Sequence, residues 1–223
     1  GQLAAFWRNQ FKLPVIGITG SNGKTTVKEM VAAILRKATW IKESSVVQQN
    51  DPVLATEGNL NNDIGVPLML LRLRQHHQYA VFEMGMNHIG EIAYLTQLVK
   101  PDVVLITNAG NAHIEGLGSI EAVARAKAEI FQGLRHQGTA IINADDTYAP
   151  LWRDYASSYP KIDFGLRQPA QISATYQMNA LTSQMQLKLP DGEVTVHLQV
   201  PGVHNICNAL AATAATVALR INK

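Results

Sequence analysis

Lys24 and Thr25 close a glycine-rich turn, Thr19-Gly20-Ser21-Asn22-Gly23-Lys24-Thr25-Thr26, that follows the apolar run Val15-Ile16-Gly17-Ile18. Such a turn aims several backbone N–H groups at one point. The helix pattern that starts near Thr25 adds the partial positive charge of its N-terminus. Lys24 supplies a full charge for β- and γ-phosphates, and the Thr25 hydroxyl can ligate Mg²⁺. The stretch therefore points to a bound nucleoside triphosphate. Its spacing departs from G-x-x-x-x-G-K-[ST], whose first glycine would fall at Ile18. The plain alternative is a glycine-rich turn with an incidental lysine. The strand before it and the helix after it both weigh against that reading.

Other polar residues stand where an apolar pattern would not put them. Glu83 ends Ala80-Val81-Phe82-Glu83 and is the natural acidic partner for a cation beside the phosphate loop; a partly exposed strand-end carboxylate is the alternative. His113 lies in the Gly/Asn-rich loop Asn108–Gly116, where a ligand role competes with simple exposure. Lys127 breaks the apolar stripe Ile120, Val123, Ala124, Ile130, Phe131, Leu134, while Arg125, Glu129 and Gln132 fall largely off that stripe. Burial shifts a lysine by about 3–5 pKa units, so an unpartnered ammonium there costs roughly 4–7 kcal/mol. Lys127 either snorkels along an apolar rim, or it contacts phosphate or is chemically modified. Asn205 and Asn208 are three apart at the start of the last helix and share a face. They fit adenine recognition and helix capping equally well.

These residues need elements to hold them. Val15–Thr19, Tyr79–Met84, Val103–Thr107 and Thr139–Asn143 read as strands. Thr25–Lys37, with Val27, Met30, Val31, Ile34 and Leu35 on its apolar face, reads as a helix, as do Gly90–Val99 and Ser119–Leu134, the last with Ser119 as N-cap. The alternation predicts an α/β fold with a mostly parallel sheet flanked by helices. In such sheets ligands bind at the carboxyl ends of the strands. Thr19, Glu83, Asn108 and Asn143 with Asp145 all fall there. Gly58–Pro67 is dense in turn formers, and Trp40–Thr56 reads as a loop. After Phe164 the pattern changes. Gln171–Met178, Ser183–Leu189 and Glu193–Val200 read as a small antiparallel meander, turned at Pro190-Asp191-Gly192. A final helix runs from His204 to about Leu219.

Composition sets bounds. A chain of 223 residues with 47% hydrophobic residues can bury a sizeable core. The net charge is +2 and the basic residues are scattered, which gives no footprint for nucleic acid. No apolar run approaches the roughly 20 residues that cross a bilayer, and no signal-peptide pattern opens the chain. The single Cys207 excludes an internal disulfide and a cysteine-based metal site. A cytoplasmic location is expected. Gly1–Phe11 carries Leu3, Phe6, Trp7 and Phe11 at roughly helical spacing. Residues 1–13 are expected to be a linker helix from a preceding domain, so that the chain is a fragment of a longer protein.

At this point the residues resemble a known family. The stretch Thr19–Thr26 is similar to the variant phosphate loop of the Mur ligases and folylpolyglutamate synthases. Gly58–Pro67, Glu83-Met84-Gly85-Met86-Asn87-His88 with Gly90-Glu91-Ile92, Asn108–Gly118, Ala126–Phe131, Asn143-Ala144-Asp145-Asp146 and Gly202–Asn208 resemble the Mur ligase branch that adds a dipeptide. The run Gly58–Pro67 is the most discriminating of these. The resemblance extends from about Leu13 to the end and makes 14–223 the family's central ATP-binding domain, with the antiparallel subregion at about 165–200.

The resemblance implies roles. Gly20, Ser21, Asn22, Gly23, Lys24, Thr25 and Thr26 hold the ATP phosphates, and Thr25 meets one Mg²⁺. Glu83 and His113 ligate a second Mg²⁺. Lys127 corresponds to a lysine that reacts with CO₂ to form a carbamate, an anion able to interact with Mg²⁺. Asn208, with Asn205, contacts adenine. The implied reaction activates the terminal carboxylate of a UDP-N-acetylmuramoyl-tripeptide as an acyl phosphate, which the amine of D-Ala-D-Ala then attacks. The implied protein is a monomer. Two departures stand out. Lys42–Pro52 is longer than usual and is expected to be a surface insertion. Only the central one of the family's three domains is matched, so little or no ligase activity is expected of this chain alone. Two alternatives remain. One is a ligase of the same superfamily that adds another amino acid or glutamate. The other is a regulatory nucleotide-binding protein, which would leave Lys127 and His113 without a task.

Overall fold

Five consecutive residues, Val15–Thr19 (β1), are all buried, and their run of apolar side chains suits a strand covered on both faces. In the computed structural model, which describes residues 1–42, 50–111 and 114–219, β1 lies at the centre of a six-stranded sheet. The other strands are β2 (Val53–Ala55), β3 (Tyr79–Glu83), β4 (Val103–Ile106), β5 (Thr139–Asn143) and β6 (Lys161–Phe164), in the order β2-β3-β1-β4-β5-β6. Every pairing is parallel. All carboxyl ends therefore share one edge, as the alternating pattern predicts.

Two helical layers cover the sheet. On one face Ile16, Ile18, Val81, Leu105 and Ile141 meet Val27, Val31 and Leu35 of α2 (Lys24–Lys42) and Ile206 and Leu210 of α8 (Val203–Ala218). Alanines at 209, 211, 212, 214 and 215 are buried on α8 and let it approach its neighbours closely. On the other face Phe82, Val104, Ile106 and Ile142 meet α3 (Gly65–Leu70), α4 (Glu91–Val99), α6 (Ile120–Ala128) and α7 (Ala149–Tyr155). Each fully buried Leu, Ile or Phe contributes about 1.5–3 kcal/mol relative to exposure. A short α5 (Ile114–Leu117) precedes α6. No helix among the described residues is long and apolar enough to cross a membrane.

The expected meander forms as β7 (Ser173–Met178), β8 (Ser183–Leu189) and β9 (Gly192–Leu198), a separate antiparallel sheet in the order β7-β8-β9. Met185 and Leu187 of β8 face inward and join the core beside α8. The first helix is α1 (Gln2–Arg8). Of its supposed apolar face, Leu3 and Phe6 are exposed, while Phe11 is buried beyond its end. Arg8 anchors it instead. Its guanidinium is buried and donates to the carbonyls of Val99 (2.8 Å) and Phe11 (2.8 Å). Burial first, and then the charge of Arg135, lower its pKa to about 10.

Several expectations need correction. Trp40–Thr56 is not all loop: α2 runs on to Lys42, and Val53–Ala55 pairs with β3. The expected insertion falls mostly on residues 43–49, outside the described residues. Within Gly58–Pro67, the turn ends early. The Asn62 carboxamide accepts from the Gly65 N–H (2.8 Å) and starts α3, with Pro67 tolerated in its first turn. Ser119 is the expected N-cap, accepting from Ala122 N–H at 3.1 Å. The helix it opens does not reach Leu134, however, because the chain tightens to a 3-10 turn at Glu129–Gly133. On α2, Ile34 is exposed rather than on the buried face.

Candidate functional site

The phosphate loop follows β1 directly. Gly20 (φ +148°) and Gly23 (φ +80°) adopt backbone conformations that side chains disfavour. A Cβ on Gly20 would strike Thr107 Oγ1, and one on Gly23 would strike Asn208 Oδ1. The loop is splinted from the end of β4. Ser21 N–H donates to Asn108 O (2.9 Å), Asn22 N–H to Asn108 Oδ1 (3.0 Å), and Thr107 Oγ1 donates to Asn22 O (2.6 Å). Ser21 Oγ accepts from Gly110 N–H at 2.9 Å. The loop shape is thus held before any ligand arrives.

Lys24 opens α2 and donates to Gly20 O (2.8 Å) within its own loop. Burial lowers its pKa, against the opposing pull of Glu83. Glu83 is 2% exposed. Its two carboxylate oxygens are shared: Oε2 accepts from Thr25 Oγ1 (2.8 Å) and Oε1 from Asn61 Nδ2 (2.8 Å). The alternative of an exposed strand-end carboxylate is therefore ruled out. Lys127 is 1% exposed and makes no hydrogen bond or ion pair among the described residues. Burial first, and then the Lys24 charge, push its pKa from 10.5 down to about 7. It does not snorkel to solvent.

Beside the loop lies a cavity of about 690 Å³ lined by Asn22, Gly23, Thr26, Asp145, Tyr176 and Asn208, among others. Asp145 shapes one wall by accepting from the backbone N–H groups of Leu166, Arg167 and Gln168 at 2.7–2.9 Å. Asn143, at the end of β5, donates to Thr107 O (2.8 Å) and steadies the loop's support. Asn205 does not reach the cavity. It sits in the first turn of α8, and its amide donates to Pro201 O at 2.7 Å. His113 lies outside the described residues.

The donor set fits a hard, oxygen-seeking cation. Thr25 offers a hydroxyl and Glu83 a carboxylate, and no cluster of three His, Cys, Asp or Glu stands ready among the described residues. Mg²⁺ is commonly held by one or two carboxylates together with substrate phosphates rather than by an all-protein cage. Thr19 Oγ1, where β1 meets the loop, is buried without a partner, an unsatisfied polar atom at the mouth of the site.

Sequence reasoning missed three contributors. Asn61 lay in a run read only as turn formers. Lys28 is 2% exposed and stands three and seven residues before the buried Val31 and Leu35, so the stripe test applied to Lys127 would have found it. Glu129, read as off its stripe, is 8% exposed and accepts from Gly90 N–H (2.8 Å) and Ala93 N–H (3.1 Å) at the start of α4.

The Mur ligase middle domain profile matches residues 18–216. The UDP-N-acetylmuramoyl-tripeptide–D-alanyl-D-alanine ligase of Escherichia coli is 43% identical over 98% of this chain and 46% of its own length. MurF from Acinetobacter baumannii superposes with a TM-score of 0.89 at 42% identity, over 98% of this chain and 46% of that one. The MurF ligase of Thermotoga maritima, solved in complex with ADP, superposes at 0.81 with 25% identity, over 98% and 48%. The chain spans about half the length of the curated relatives it matches. With the loop, the strand-end carboxylate and the sheet order all in agreement, residues 18–216 are a Mur ligase middle domain, and the chain belongs to the Mur ligase family.

Proposed function

We propose that this chain forms the ATP-binding part of a cytoplasmic ligase that joins D-Ala-D-Ala to UDP-N-acetylmuramoyl-tripeptide in peptidoglycan precursor synthesis. The observation that carries it is Glu83, buried at the loop's mouth and clamped by the Thr25 hydroxyl. The likeness to ligases named for that reaction supports the choice of substrates, and the ADP complex of the T. maritima relative supports the nucleotide.

In this reading the amides of Gly20–Gly23 and the Lys24 ammonium receive the triphosphate. Lys24 exchanges its bonds to loop carbonyls for phosphate oxygens. Thr25 and Glu83 hold Mg²⁺, with His113 as a further ligand. The cation, when bound, neutralises charge on the transferring group. The γ-phosphoryl group passes to the tripeptide's terminal carboxylate. The D-Ala-D-Ala amine attacks the resulting acyl carbon, and the C–O bond to phosphate breaks. Thr26 and Asn208 line the cavity that takes the nucleoside, and Asn205 braces the turn before α8. Lys127 carries a carbamate, which replaces an unpartnered cation by an anion. Residues 1–13 act as the link from a preceding domain, 14–223 act as the central domain, and the working enzyme is a monomer. Segments that the relatives carry outside the matched region complete the acceptor site.

Calorimetric titration tests the nucleotide half. ATP binds the chain more tightly with Mg²⁺ than with chelator, Lys24→Ala weakens both, and Glu83→Gln removes the Mg²⁺ gain. Equal affinity with and without Mg²⁺ in the parent chain defeats the reading. Phosphate release dependent on D-Ala-D-Ala tests the other half. The chain alone gives none, and turnover near that of a full-length relative overturns the division of labour.

A further inference from the structure

Lys28 is a buried cation one turn beyond the phosphate loop. An ammonium out of water is costly unless it is well partnered, and a methionine would fill the same space without that cost. Its partners identify its task. Lys28 Nζ donates to Thr56 O (2.6 Å) and pairs with Glu29 Oε1 (2.6 Å), whose side chain is 60% exposed. Thr56 is itself 1% exposed and follows the three-residue edge strand β2. Its N–H donates to Val81 O (3.0 Å), and its Oγ1 accepts from the Glu83 N–H (2.9 Å). Thr56 thus ties the Lys28 side chain to the backbone of Glu83.

The first turns of α2 therefore grip Glu83 twice. Thr25 holds the carboxylate directly. Lys28, three residues on, holds its backbone through Thr56. Asn61 secures the second carboxylate oxygen. Without Lys28 the Thr56 carbonyl loses its bond to α2, and the Thr56 hydroxyl that meets the Glu83 N–H is held from the sheet side, through the Thr56 N–H bond to Val81 O.

We propose that Lys28 and Thr56 are positioning residues that fix Glu83 for divalent-cation binding. The proposal rests on the reading of Glu83 as a Mg²⁺ ligand. Outer-shell partners of metal ligands typically contribute about 10–100-fold in metal affinity. A merely structural role would instead lower stability and weaken ATP with or without metal.

The test is calorimetric titration of ATP, in Mg²⁺ and in chelator, into the parent chain, Lys28→Met, Thr56→Val and Thr56→Ser, with thermal melts alongside. Lys28→Met and Thr56→Val lose about tenfold or more of the Mg²⁺ gain while their affinity in chelator stays at the parent value. Thr56→Ser, which keeps the hydroxyl, retains the parent gain. If the first two variants keep the gain, or lose affinity equally in both conditions, the proposal is overturned. A parent chain with no Mg²⁺ gain overturns the underlying reading of Glu83 instead. Should Lys28→Met fail to fold, the Thr56→Val and Thr56→Ser pair decides.

Discussion

Lys127 and Lys24 stand within each other's field at the carboxyl edge of the sheet, and the Lys24 charge, second only to burial, drives the Lys127 amine down to about 7. The two lysines come from different faces of the sheet: α2 lies on one and α6 on the other. Their side chains converge beside the phosphate loop, so charge on Lys24 makes charge on Lys127 costlier.

The depressed Lys127 pKa makes stability depend on pH. The folded value lies below the unfolded one, so between about 7 and 10.5 the unfolded chain binds the extra proton. Stability rises with pH across that window, by up to about 1.4 kcal/mol per pH unit for one proton. Below pH 7 the full cost of the buried charge remains. Lys127→Met is therefore more stable than the parent at pH 6, and the gap closes as pH rises through the window. Chemical denaturation at several pH values measures it, and parallel curves for the two proteins would refute it.

A neutral amine is the form that attacks CO₂. The Nζ–C bond forms, a proton leaves nitrogen, and a carbamate results. With its pKa near 7, Lys127 is largely neutral under mildly alkaline conditions, unlike an exposed lysine. Carbon-13 NMR in labelled bicarbonate is expected to show one slowly exchanging carbamate signal that disappears in Lys127→Met. A signal that persists in the variant belongs to another amine and removes the assignment.

Gly23→Ala places a methyl group against Asn208 Oδ1 at a φ of +80°. Strained backbone of this kind costs on the order of 1–3 kcal/mol. The expected outcome is a lower melting temperature together with weaker ATP binding. A variant with parent-like values in both would show that the loop tolerates the methyl group.

Glu129→Ala removes the carboxylate that accepts from Gly90 and Ala93 N–H groups. Loss of a helix cap costs about 0.5–2 kcal/mol. Hydrogen exchange is expected to quicken at the start of α4 and leave β1 and β4 unchanged. Uniform acceleration across the sheet would argue for a global rather than a local role.

The inner strands are legible in the sequence because each is an almost unbroken apolar run, as a strand covered on both faces requires. β1, β3, β4 and β5 were read within a residue or so of their ends, and with them came the shared edge that holds Thr19, Glu83 and Asn143. β2 has three residues, β6 interleaves Lys161 and Asp163 with its apolar residues, and α3 and α7 span about two turns or less, so all four escape the sequence pattern. Glu129 was misplaced for a geometric reason. A 3.6-residue period was carried past Ala128, where the chain tightens to the 3.0-residue period of a 3-10 turn, and the side chain swings under α4. Asn205 and Asn208 share a helix face by spacing, but the first turn of α8 leaves Asn205 close enough to Pro201 O to bond it. Lys28 escaped because a lysine in a helix reads as solvated until its neighbours on the same stripe are checked.

α8 and α2 lie on the same face of the sheet although nearly the whole chain separates them. During synthesis, Ile16, Ile18 and the inner side of α2 emerge early and wait for Ile206 and Leu210 to cover them. Closure of that layer is non-local, which slows folding and leaves apolar surface open meanwhile. Chains stalled on the ribosome before Val203 should stay open to protease around α2, and release of the full length should close them. Because Asn208 abuts Gly23, α8, made long after β1, finishes the cradle that β1 begins.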